Sequence, residues 1–237
     1  MHIVTNRARR GGLMLGVIAL LAALIFIPPA GAQEPERFDE KVRELFFAGF
    51  AGNQDALQRG MAMCEETLAD DPDHPGALVW QASGWFYESS FLFAQGNIEA
   101  GMALYNKSVA QFDSAVALAP NSLETLIPRA AVYLSTAPYV EHAPTRIGLL
   151  ETVVDDYTKA LEIQEPYFDS LSLHGQGELL GALAEALWLL ERRDESKVYL
   201  NRILADLPES PYALMAQRQL DNPEERAQLT CLGCHKY

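Results

Sequence analysis

Four positions spaced along the chain constrain its fold more than anything else. Cys64, Phe112, Tyr157 and Leu200 occupy equivalent places in four helical segments, at steps of 48, 45 and 43 residues. Each lies on an apolar stripe of period 3.6, and prolines stop two of the four segments cleanly, at Pro120 and Pro208. A self-similar helical pattern at this period means that each unit is a helix pair. One pair cannot bury its apolar face alone, so neighbours must stack to make a core. No stretch shows the alternation of a half-buried strand. The chain is expected to be all-α, a solenoid of about four helix pairs.

The units differ in quality. The best first helix is expected over Ala77 to Ala94 and contains Trp80-x-x-Ser83-Gly84-x-x-Tyr87. Its second helix carries Ser108-x-x-x-Phe112-x-x-Ala115. The last unit places Leu180, Leu183, Ala184 and Leu187 on one helix and Ser196, Leu200 and Ile203 on the next. In the first unit Phe47 and Ala48 open the pattern, with Gly60, Cys64 and Pro72 on the second helix. In the third, Ile127, Ala130, Ala131 and Leu134 are followed by Val153, Tyr157 and Ala160. Small residues at these places let helices approach closely, and large ones fill the gap. This arrangement resembles the tetratricopeptide family over most of residues 40 to 220. The resemblance implies a scaffold that presents a concave groove to a protein partner. The steps exceed the 34-residue template, so units two and three are expected to have longer helices or inserted loops. Lengthened pairs also give a looser resemblance to the periplasmic components of substrate-binding transport systems. That reading predicts an apolar cavity near Trp85 and Phe93.

Between the units, Asp70 to Pro75 and Ala119 to Ser122 read as turns, with Asp73 and Asn121 or Ser122 as helix N-caps. Ala137 to Pro144 reads as an irregular insertion, and Asp169 to Gly177 as a linker before the last unit. Ser210-Pro211 opens a capping helix that reaches Leu220. Trp80, Tyr87 and Phe91 share a helical face and are expected in the core. Trp85 and Phe86 point elsewhere, toward the groove or the next unit.

The N-terminus has the layout of an export signal. Arg7, Arg9 and Arg10 precede an apolar run from Leu13 to Ile27, Pro28-Pro29 ends it, and Ala30-Gly31-Ala32 is a small-residue cleavage pattern. The expected organisation is a signal peptide over 1–32, a linker over 33–40, the repeat domain over 41–220 and a tail over 221–237. An uncleaved membrane anchor is the alternative. Either way the body lies outside the cytoplasm, periplasmic or secreted. Loss of residues 1–32, with three arginines and no acid, takes the formal charge from −14 to −17. A chain so acidic is repelled by a phosphate backbone, which argues against nucleic acid as a partner.

One motif carries chemistry. The chain ends Thr230-Cys231-Leu232-Gly233-Cys234-His235-Lys236-Tyr237. Cys231-x-x-Cys234-His235 resembles the attachment motif of c-type cytochromes. The resemblance implies two thioethers to haem c, from Cys231 and Cys234, and His235 as proximal ligand to the iron. Only Lys236 and Tyr237 follow, so the repeat array, another chain or solvent must cover such a haem. Candidates for the distal position are Met215, on the capping helix, and His174 and His142, in predicted loops. Two other readings stay open: a small Cys231–Cys234 disulfide, or a zinc site of Cys64, Cys231, Cys234 and His235. Asp70, Asp71, Asp73 and His74 read better as an acidic capped turn than as a chelate. No nucleophile elbow or phosphate loop is present, and catalysis by side chains is not expected. The residues therefore point to an exported scaffold that docks a redox partner or carries electrons.

Overall fold

The computed structural model describes residues 37–224 and 229. Among them are nine α-helices, two short 3₁₀ turns and no strand. The helices are α1 (Phe38–Phe50), α2 (Gln54–Asp70), α3 (Pro75–Ala94), α4 (Ile98–Leu118), α5 (Leu123–Thr136), α6 (Ala143–Gln164), α7 (Leu173–Leu189), α8 (Arg193–Asp206) and α9 (Pro211–Asp221). They pair as α1–α2, α3–α4, α5–α6 and α7–α8, with α9 closing the last pair. The odd-numbered helices form a continuous row, α1 on α3 on α5 on α7 on α9, and each even helix lies across its own pair. This is an all-α solenoid of four helix pairs, as the repeat pattern predicts.

Local chemistry sets the helix starts. The side chains of Asn53, His74, Asn97, Ser122, Ser172 and Ser210 each accept a hydrogen bond from a backbone N–H of the following first turn. Each satisfies a donor that no helix can satisfy internally. Pro75 and Pro211 occupy first-turn positions where a missing N–H costs nothing. At the Asp70–Pro75 turn the cap is His74, one residue later than expected: its Nδ1 accepts from Ala77 N at 3.1 Å. Pro75 follows the cap directly, at the first helical position that proline favours.

The core follows the repeat. Cys64, Phe112, Tyr157 and Leu200 are all at most 1% exposed. Phe112 meets Phe86 and Tyr133 in an aromatic cluster that joins the second unit to the third, with ring centroids 6.3 and 5.4 Å away. Phe86 thus contacts the next unit, one of the two roles expected for it. Trp85 carries the Lys107 ammonium 3.4 Å above its ring, and Phe91 is largely exposed rather than core. The long steps between units come from long helices: α3, α4 and α6 have 20, 21 and 22 residues. Between α5 and α6, Arg129 makes a bidentate pair with Asp156, both bonds 2.8 Å, and reaches Asp113 of α4 at 3.1 Å. Arg129 and Asp156 are buried, so a single charged group ties three helices together.

Two boundaries and one core position differ from the sequence reading. The repeat domain starts at Phe38, inside the expected linker, because Phe38 and Asp39 are buried in the first turn of α1. The aromatic that fills the first unit is Phe46, fully buried, not Phe47, which is half exposed. Phe46 and Phe47 are adjacent, and α1 approaches α2 at Gly49, where a Cβ would stand 2.7 Å from Leu57 Cβ. That close approach rotates the helix by one residue. Finally, Asp169 to Gly177 is not a linker. A 3₁₀ turn covers Glu165–Ser170, and Ser172 caps α7 from Leu173 onward. His174 therefore stands in a helical first turn, not in a loop.

Candidate functional site on α7

The Cys231, Cys234 and His235 motif and the signal segment lie outside the described residues. The chain just before the motif does not. Leu229, two residues upstream of Cys231, is 1% exposed and packed in the core. Its backbone N–H donates to the Glu185 carboxylate at 3.0 Å. Its backbone carbonyl and Cβ lie against Gly181: a Cβ there would collide with the carbonyl oxygen and stand 3.2 Å from Leu229 Cβ. Two features of α7 thus serve one tail residue. A glycine leaves room for its backbone, and a buried acid takes its amide.

Glu185 is 3% exposed. Taking a carboxylate out of water is costly unless hydrogen bonds replace the lost solvation, and a charge-assisted bond from a main-chain amide is among the stronger replacements. The seat is continuous with the packing of α9. Tyr212 of α9 lies over Gly177, where a Cβ would collide with its ring. Gly177 and Gly181 are one turn apart, so α9 and the tail occupy neighbouring notches of the same helix.

The same face of α7 carries polar groups toward its N-terminus. His174, Glu178, Gly181 and Glu185 recur at spacings of four, three and four residues, which places them in one stripe. His174 Nδ1 is 3.2 Å from the Tyr212 hydroxyl, and its Nε2 is 3.4 Å from Glu178 Oε2. The Tyr157 hydroxyl of α6 donates to the other Glu178 oxygen at 3.3 Å. Tyr157 and Tyr212 are buried, whereas the His174 side chain is half exposed. An imidazole is therefore held at the edge of the stripe by groups from α7 and α9.

The other candidates lie elsewhere. Met215 is half-buried on α9 and packs against the core. His142 caps the opposite end of the α6–α7 pair, exposed, with Nδ1 2.8 Å from Thr145 Oγ1. Cys64 is fully enclosed between helices, and burial, helped by the nearby Glu65 charge, pushes its thiol up to about 12. Its side chain is part of the buried core, and the other three members of the zinc reading lie outside the described residues. Among the described residues no group of three or more His, Cys, Asp or Glu side chains is placed to hold a metal. His74 of the acidic turn uses its ring nitrogen as a cap.

Two open clefts occur among the described residues, one lined by Glu165 to Ser170 and Arg202, the other by Pro138, Arg146, Leu150 and Leu189, and neither includes Trp85 or Phe93, where the transport reading puts an apolar cavity. Among the described residues no helix is long and apolar enough to cross a membrane.

Sequence reasoning overlooks Gly181, Glu185 and Leu229. A signal is present: Glu185 is the sole charge in the run Leu179 to Leu190. An acid inside a helix that is apolar on every side marks a specific partner.

No protein-family model matches the chain, and no curated protein matches it. Among solved structures it is similar to a thermophilic tetratricopeptide-repeat protein of Thermus thermophilus, at 19% identity over 80% of this chain and 84% of that one, with a TM-score of 0.48.

Proposed function

We propose that this is an exported helical-repeat scaffold that carries one covalently attached haem c on its C-terminal tail and docks a redox protein partner. The observation that carries the reading is the seating of Leu229. The chain enters Cys231-x-x-Cys234-His235 from a residue fixed to α7 by both its side chain and its backbone. A disordered docking peptide has no use for a glycine notch and a buried acid two residues upstream. A group that must be held at a set place on a rigid body does.

Two features of the described residues support this reading: Leu229 is held against Gly181, and the same stripe of α7 carries the imidazole of His174. Cys231 and Cys234 would supply the thioethers and His235 the proximal nitrogen. When bound, haem supplies reversible one-electron chemistry at its iron. The protein's own part is to hold the tail, keep the site near the end of the repeat row and present the rest of the row to a partner. The acidic surface suits a basic partner face, which would speed encounter at low salt. No side-chain catalysis enters this account, and export by the Arg7–Ala32 segment would bring the protein to the compartment where c-type attachment occurs.

The test is a haem-stained denaturing gel of protein made in a host that matures c-type cytochromes. The reading predicts a stained band at the size of the protein. It predicts loss of most of the stain in Cys231→Ala and in Cys234→Ala. An unstained wild-type band, beside a stained control cytochrome from the same cells, refutes it and leaves a scaffold whose last residues do something else.

A further inference from the structure

We propose that the cleft between the third and fourth helix pairs, walled by Pro138, Arg146, Leu150 and Leu189, binds a small carboxylic acid with a compact apolar body. The inference is independent of the haem reading, since no residue of the tail enters it.

The walls come from three elements. Arg146 and Leu150 stand one turn apart on α6, Leu189 ends α7, and Pro138 lies in the 3₁₀ turn Ala137–Tyr139 that follows α5. Leu150 is buried, so the inner wall is apolar. Tyr139 and Ile147, next in the chain to Pro138 and Arg146, are exposed. The cleft measures about 260 Å³. That is just below the ~300–1,000 Å³ of sites for drug-sized ligands, so its ligand is smaller: one branched or aromatic group and the acid that it carries.

The polar member of the site is a cation that the protein leaves without an opposite charge. Arg146 donates to the Val140 carbonyl at 2.9 Å, which holds the guanidinium in the wall and leaves most of its five N–H donors over. Among the described residues it makes no ion pair. Glu151, little more than a turn along α6, is taken by Arg192 at 3.1 Å. Glu141, just before the helix, is exposed and unpaired. By contrast Arg37, Arg43, Arg129, Arg192, Arg193 and Arg202 each pair with a carboxylate. Arg59 is also unpaired, but it stands exposed in water on α2. The chain has 32 acids to 18 lysines and arginines, so carboxylates are in excess, and an arginine kept from them in an apolar wall is available to an anion from outside.

The helix adds the same sign. Of the nine described helices, α6 alone begins with neither a capping side-chain bond nor an acid in its first turn. Arg146 closes that first turn, so its charge and the positive end of the helix dipole act together. A guanidinium takes a carboxylate through two parallel N–H bonds. One guanidinium balances one negative charge. A phosphate, with up to two charges, would be left undercompensated among apolar walls.

The experiment titrates the full chain with phenylacetate and with isovalerate at neutral pH, followed by heteronuclear NMR, beside phenylacetamide, which has the shape without the charge. The inference predicts saturable shifts at Val140, Arg146 and Leu189, with Kd about 1 mM or below. It predicts at least ten-fold weaker binding of phenylacetamide, and of both acids to Arg146→Gln. Leu189→Glu, which offers Arg146 a carboxylate from within, should bind neither acid although the arginine is present. Absence of saturable shifts at about 10 mM of either acid overturns the inference, as does equal binding of the amide or an affinity unchanged in both variants. A peptide that ends in phenylalanine with a free carboxylate, binding ten-fold tighter than phenylacetate, overturns the small acid in favour of a protein terminus. The comparison of acid with amide needs only the wild type, so it decides even where a variant fails to fold.

Discussion

Replacing Gly181 with alanine should loosen the seat of Leu229 while leaving the repeat array as stable as before. The added methyl would collide with the Leu229 carbonyl oxygen and lie 3.2 Å from its carbonyl carbon and Cβ. These are backbone and near-backbone atoms, not the end of a flexible side chain, so they cannot swing aside. Within the helix the change is favourable: Ala exceeds Gly by about 1 kcal/mol in a helix interior. Against this stands the seat. Burial of Leu229 contributes about 1.5–3 kcal/mol and its bond to the Glu185 carboxylate about 1.5–3 kcal/mol, before the entropy of ordering the tail. Forcing a methyl into a packed contact costs about 1–3 kcal/mol. That strain falls on the docked state alone, so the tail should open more often. Hydrogen exchange of the peptide that contains Leu229 should then speed up about 10- to 100-fold, the change that a loss of about 1.4–2.7 kcal/mol gives. Peptides from α3 to α6 should keep their protection. The denaturation midpoint should stay level or rise slightly. Unchanged exchange at Leu229 in Gly181→Ala would refute the reasoning, because the methyl would then have found room that the packing does not provide.

Other changes probe the body of the protein. Arg129→Met strands Asp156 as a buried charge and should cost about 3–5 kcal/mol in urea unfolding, whereas the double variant Arg129→Met/Asp156→Leu should recover most of that. Equal loss in the single and double variants would mean that packing, not charge, makes the contact. In the native protein Cys64 should resist alkylation at pH 8 and react only after unfolding, since burial holds its thiol near pKa 12. A raised folded pKa contributes stability below the unfolded value of 9.0, and that stability is lost as the pH climbs toward about 12. It amounts to at most about 4 kcal/mol. Cys64→Ala should therefore show a shallower fall in stability over that window, and parallel curves for the two proteins would contradict this.

Much of the fold is legible because it repeats. Cys64, Phe112, Tyr157 and Leu200 mark one packing position in four units, and periodicity alone finds such positions. The last unit reads residue for residue, since its spacing matches an unlengthened helix pair. Where sequence and structure part, the cause is a contact between helices that spacing does not encode. Phe46 and Phe47 are equivalent on composition, and the approach of Gly49 to Leu57, with the room that Gly60 and Gly84 leave for its ring, selects Phe46. His74 takes the place of Asp73 as the cap because its ring nitrogen accepts from Ala77 N, and Pro75 follows at the favoured first position. His174-Gly175-Gln176-Gly177 looks like a loop on composition, yet Ser172 caps a helix through it and Gly177 is there to admit Tyr212. The attachment motif is plain in the sequence, whereas its seat is not. Leu229 meets Gly181 and Glu185 from 48 and 44 residues away, and no local pattern links them.

The most direct test of the central claim is the intact mass of the protein recovered from the periplasm of a host that matures c-type cytochromes. The account predicts a chain that begins at Gln33 and carries the mass of one haem, retained under denaturing conditions. A chain of residues 33–237 without that increment, or two hydrogen atoms lighter from a Cys231–Cys234 disulfide, would contradict the claim that the tail held on α7 is a haem carrier.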